Sequence, residues 1–163
     1  MKISRYVTAL AFASISNVAS ADDISKAKEL IEKAKVKRQN IIVTGPEWCG
    51  PCKQLEKYAS DLKKNRGIDL YTCGNGTVII EVRPEEYDTS HKGLYERDVR
   101  RALSITDCLE GMGEPETRME KVYYPFIVTW RTLDGKLKPR TYVFRSGKLD
   151  DDSKPEDVLC KSQ

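Results

Sequence analysis

Two cysteines three positions apart, in the run Trp48-Cys49-Gly50-Pro51-Cys52-Lys53, constrain this chain more than anything else in it. Thiols at that spacing can open and close a disulfide reversibly, provided the backbone turns between them. A helix start supplies that turn. It also sets the first thiol against orphan N–H groups and the positive end of the helix dipole, which favour a thiolate. A thiolate attacks a second disulfide, and the partner cysteine then resolves the mixed intermediate. Cys49 is therefore read as the nucleophile and Cys52 as the resolving thiol, at the mouth of a helix that follows a strand.

The N-terminal stretch suggests where such chemistry takes place. Lys2 and Arg5 form a short positive segment, Tyr6 to Ile15 is largely apolar, and Ala19-Ser20-Ala21 supplies the small-residue pattern before a cleavage point. The apolar run is too short to span a bilayer as a helix. Residues 1–21 are read as a signal peptide cleaved before Asp22, with a retained anchor as the alternative. The expected compartment is the periplasm or the extracellular space. Removal of the leader leaves 142 residues, one domain's worth, and lowers the net charge from +3 to +1. So balanced a surface gives no argument for nucleic acid or an anionic membrane as a partner, and no nucleic acid is expected.

All five cysteines follow the leader: Cys49, Cys52, Cys73, Cys108 and Cys160. The odd count leaves at least one unpaired within the chain. Cys73, Cys108 and Cys160 allow three single bridges, and the sequence does not choose among them.

Periodicity predicts the elements. Asp22 to Gln39 reads as an amphipathic helix with Ile24, Ala27, Ile31 and Ala34 inward, capped by Asp22 or Asp23. Asn40 to Thr44 is a short β-branched run stopped by Gly45-Pro46, and so reads as a buried strand. The helix carrying Cys52, Leu55, Ala59 and Leu62 on one face then runs to about Asn65, with Gly67 ending it. Asp69–Thr72 and Thr77–Val82 look like strands around Asn75-Gly76, either a hairpin or a loop feeding one central strand. Asn75-Gly76-Thr77 also matches a glycosylation sequon, though the turn accounts for it. Residues 84–120 are charged, contain His91, and hold one helix with Tyr95, Val99, Ala102 and Leu103 as its stripe. Phe126–Trp130 and Arg140–Phe144 form a strand pair around Asp134-Gly135, and a short helix is expected near Pro155–Cys160.

The order helix, strand, C-x-x-C helix, strand, helix, strand hairpin resembles the thioredoxin superfamily over nearly the whole of residues 22–163. The heptapeptide Glu47-Trp48-Cys49-Gly50-Pro51-Cys52-Lys53 carries the resemblance most specifically. It implies an α/β fold with a central mixed sheet flanked by helices, and an insertion over about 84–120 before the hairpin. It also implies that the Tyr124–Pro125 bond is cis, with Tyr124 shaping a substrate groove, because an X–Pro bond is the one kind for which cis costs little. Trp48 would limit access, while Gly50 and Pro51 set the turn and tune the thiol. The implied activity is thiol–disulfide exchange with exported proteins through a mixed disulfide, more as reductant than oxidant, recycled by a membrane redox partner. No cofactor is required, since the dithiol itself carries two electrons.

Three departures from that family stand out. Val43 takes the position of a buried aspartate that assists the resolving thiol. Glu56, one turn after Cys52, is either its substitute or an ordinary exposed helix carboxylate. The segment before Pro125 is long, either adding partner contacts or covering a sheet edge, and the C-terminal helix is short. Two other functions compete: a soft-metal site holding Cu(I) between the two thiols, and a binding module that keeps the cysteines only as a staple.

Overall fold

The run Asn40–Thr44 forms β1, and both of its edges are paired. It runs parallel to β2 (Thr77–Arg83), with Ile42 against Ile79, and antiparallel to β4 (Phe126–Leu133), with Ile42 against Ile127. The computed structural model describes residues 15–83, 93–105 and 124–161. Outside these lie residues 1–14 of the expected leader, most of the expected insertion, His91 and Cys108.

Among the described residues the sheet has six strands in the order β3-β2-β1-β4-β5-β6. The two-residue β3 (Leu94–Tyr95) extends β2 in parallel. On the other side β5 (Lys136–Arg145) returns antiparallel along β4, and β6 (Lys148–Leu149) closes that edge. Helices cover both faces. On one, α1 (Ile15–Val36) and α3 (Glu96–Ile105) bury Ala27, Ile31, Ala34, Val99, Ala102 and Leu103 against Ile41, Val43, Ile80, Val128 and Trp130. On the other, α2 (Gly50–Arg66) and the short α4 (Pro155–Leu159) bury Leu55, Ala59, Leu62 and Leu159 against Ile42, Ile127, Tyr142 and Phe144. Alternation along β1 assigns Ile41 and Val43 to the first core and Ile42 to the second, as the pleat requires. The result is an α/β protein with a mixed sheet between helices. No helix among the described residues is long and apolar enough to cross a membrane.

Two readings of the sequence need correction. α1 starts at Ile15 and continues through Ala21-Asp22, because nothing between Val18 and Asp23 breaks a helix. Asp23 is thus not a cap. It lies inside α1, buried, with its carboxylate 3.1 Å from Arg83 Nη2 on β2. Residues Asp69–Thr72, expected as a strand, form a turn instead. The Asp69 carboxylate accepts the Tyr71 N–H at 3.1 Å and its carbonyl accepts those of Thr72 and Cys73, which curls the backbone. Of the two arrangements open for 69–82, the loop feeding a single strand is the one adopted.

That loop is also where the C-terminus is fastened. Cys73 is bonded to Cys160, one of the three pairings left open, and closes a separation of 87 residues. Beside it Asn40 Nδ2 donates to the Leu159 carbonyl at 2.9 Å. Glu156, buried on α4, reaches back to α2, accepting from Tyr58 Oη at 2.5 Å and Arg66 Nη1 at 2.8 Å. Burial alone would raise its carboxyl, but the bonds from Tyr58 and Arg66 outweigh it and hold the group below its ordinary value. Burial and the same bond push the Tyr58 hydroxyl up to about 12.

Both shifts bear on stability. A lowered carboxyl contributes fully above its unfolded value near 4.5 and loses that contribution as pH falls through the folded value. A raised phenol contributes fully below 10 and loses it as pH climbs towards about 12. Glu156→Gln is expected to lower the unfolding free energy by roughly 1–3 kcal/mol at neutral pH and to flatten the dependence at both ends, as read by urea melts across pH. Replacing Cys73 and Cys160 together with serine should cost up to roughly 4–5 kcal/mol by chain-entropy reasoning, read by the same melts.

Candidate functional site

β1 ends at Thr44 and delivers the chain, through Gly45-Pro46-Glu47-Trp48, to the start of α2. A backbone bond from Cys49 N to Pro46 O at 2.8 Å closes this turn. Cys49 then occupies the helix N-cap with extended backbone (φ −68°, ψ 98°), and its Sγ accepts the Cys52 N–H at 3.2 Å. A sulfur here does what a serine or aspartate oxygen commonly does at this position. Pro51 sits in the first helical turn, where its missing N–H leaves no bond unmade.

Cys49 and Cys52 are bonded to each other, with Cα atoms 5.3 Å apart. The C-x-x-C pair therefore forms a disulfide at the N-terminus of α2, compatible with a redox pair. Both residues are buried, at 6% and 5% exposure, and Trp48 beside them is 77% exposed. Gly45 N donates to Cys52 Sγ at 3.2 Å. Each sulfur thus faces one backbone donor, the kind of contact that favours a thiolate once the bond is opened.

Tyr124 and Pro125 come to the same place from the start of β4, and the Tyr124–Pro125 peptide is cis. Gly45 marks the meeting point. A Cβ built on it would stand 3.1 Å from Cys49 Cβ and 3.1 Å from Tyr124 Cδ2, tight enough that a side chain there would press on both. Tyr124 is half-buried against the α1/α3 core. Its hydroxyl lies within hydrogen-bonding reach of Glu96 and Arg100 on α3, which are themselves ion-paired. Burial, reinforced by the Glu96 charge, pushes that hydroxyl well above the usual phenol range.

The remaining sequence candidates are placed as follows. Gly50 is exposed, and no atom lies within 4 Å of where its Cβ would be, so the fold itself does not demand glycine there. Val43 is buried and paired with Phe126. Glu56 is exposed on α2, where its charge adds to burial in raising the Tyr71 hydroxyl. Among the described residues no three His, Cys, Asp or Glu side chains gather into a metal-binding group.

Three site residues escaped the sequence reading. Gly45 had registered only as the stop of a strand, although its position between a buried strand and a C-x-x-C already implied close backbone approach. Glu96 and Arg100 carry no local signal, because their approach to Tyr124 depends on how α3 docks. Comparison with known protein families, with curated proteins and with solved structures returned no match.

Gly45→Ala should force Tyr124 or the disulfide to give way by a few tenths of an ångström. The expected cost is about 1–3 kcal/mol of unfolding free energy, measured by denaturant melts of the oxidised protein. No such loss is expected for Gly50→Ala.

Proposed function

We propose that this protein is a thiol–disulfide oxidoreductase of the thioredoxin-like kind, acting on exported proteins in the periplasm or outside the cell. The observation that carries this reading is the Cys49–Cys52 disulfide closed over the N-terminus of α2, with Cys49 in the cap position. The cis Tyr124–Pro125 bond beside Gly45 and the exposed Trp48 support it.

In the reducing direction the pair begins as a dithiol. The Cys49 thiolate attacks one sulfur of a substrate disulfide, forming a Cys49–substrate bond and expelling the other substrate sulfur as a thiolate that takes up a proton. Cys52, deprotonated, attacks Cys49 Sγ. The second substrate sulfur leaves as a thiol, and the Cys49–Cys52 disulfide is restored. Two electrons and two protons pass to the substrate, and a membrane-borne dithiol donor returns the pair to its reduced state. Gly45 N–H and Cys52 N–H stabilise sulfur anions during these steps. A reductant is favoured over an oxidant by the Gly50-Pro51 dipeptide, through the family resemblance.

Equilibration of residues 22–163 in thiol buffers of known potential tests the reading. A reduction potential near or below roughly −250 mV is expected for a reductant, and one above roughly −150 mV would make the protein a disulfide donor. Cys52→Ala should accumulate mixed disulfides with exported proteins, whereas Cys49→Ser should abolish both trapping and turnover. A pair that never cycles would leave only a structural staple.

A further inference from the structure

The groups around Tyr124 extend the redox site beyond the motif. Its Cδ2 and Cβ lie 3.1 and 3.2 Å from the point where a Cβ on Gly45 would stand, and Cys49 Cβ lies 3.1 Å from that same point, so the Tyr124 ring and Cys49 flank one glycine. Its far end is not free to swing. Glu96, in the first turn of α3, and Arg100, one turn on, form an ion pair that flanks the hydroxyl. Glu96 is positioned to accept the phenolic proton and Arg100 to donate to the phenolic oxygen. α3 is in turn seated on the core by Val99, Ala102 and Leu103. One side chain therefore links α3 to the glycine that Cys49 also abuts.

We propose that Glu96 and Arg100 are positioning residues for thiol–disulfide exchange at Cys49–Cys52, acting by holding the Tyr124 ring at Gly45, the glycine that Cys49 also flanks. The proposal rests on the reading of that pair as an exchanging redox site. Its physical content is a contest over the Cys49 thiolate. The N–H of Cys52 stabilises the anion, and a tyrosine ring held at Gly45 opposes it by excluding water. While the ring is held, the thiolate is disfavoured, the dithiol is less stable, and the pair stays a reductant. Release of the ring admits water, stabilises the thiolate and moves the pair towards the oxidising end.

Tyr124→Phe is the decisive variant, because it keeps the ring, changes no formal charge at neutral pH and removes only the bonds to Glu96 and Arg100. In glutathione buffers, its Cys49–Cys52 equilibrium should shift towards the dithiol by about threefold to tenfold relative to the unaltered chain. Alkylation of Cys49 at pH 7 should be faster by a similar factor. Glu96→Gln should shift both in the same direction, and it stands in if the phenylalanine variant does not fold. A purely structural role for the hydroxyl would lower the unfolding free energy but leave the equilibrium and the alkylation rate unchanged, and that outcome overturns the proposal. The unaltered chain, run alongside, separates the two readings. If it exchanges and the variants match it, only the positioning role falls; if it does not exchange at all, both fall.

Discussion

β1 is hydrogen-bonded along both edges, and everything at the site depends on where it ends. Its partner β2 fixes one side and β4 the other, with Thr44 opposite Glu81 and Val43 opposite Phe126, so the point where the chain leaves the sheet is held in register. Three consequences follow. Cys49 reaches the α2 N-terminus five residues later, Tyr124-Pro125 arrives just before Phe126, and Gly45 lies between them. A slip of one residue in either ladder would turn Val43 to the wrong face and separate the two strand ends.

α2 is held at both ends by different means. At its start, backbone N–H groups bind sulfur. Near its end, Arg66, with Tyr58 two turns earlier, reaches the buried Glu156 of α4, and Gly67 closes the helix in left-handed conformation. α4 is short, and burial of Leu159 is most of its own hydrophobic contribution. The Cys73–Cys160 bond and the Asn40–Leu159 contact compensate for that small area. They stand at the Asn40 end of β1, whereas Cys49 lies beyond its Thr44 end, with the strand's length of about 13 Å between the two ends. The fold thus separates a disulfide that fastens the chain from a C-x-x-C disulfide at a helix start, compatible with a redox pair.

Much of this was legible in local pattern. The inward faces of α1 and α2 were evident from helical spacing, because Ala27, Ile31, Ala34, Leu55, Ala59 and Leu62 have no competing period. Gly67 and Asp134-Gly135 announced their turns through conformations other residues resist. What stayed hidden was decided by tertiary contact. The start of α1 lacks a stop signal, so an apparent cap at Asp23 misled, and its carboxylate went to Arg83 on a distant strand. Asp69–Thr72 has the composition of a strand, yet a side-chain bond to its own backbone curls it. The partner of Cys73 cannot be read from spacing, and Glu96 and Arg100 belong to the site only through the docking of α3.

The two tryptophans are divided between surface and core. Trp48 is 77% exposed next to Cys49, and Trp130 is fully buried with its indole N–H donating to Gln39 O at 2.8 Å. Disulfides quench neighbouring indole emission, and water shifts it to longer wavelength. The protein therefore carries two built-in optical reporters at different wavelengths. Opening the Cys49–Cys52 bond should brighten the red-edge emission of Trp48, while loss of the core should shift the blue-edge emission of Trp130. Reduction of that bond and unfolding can then be recorded in one cuvette without a label.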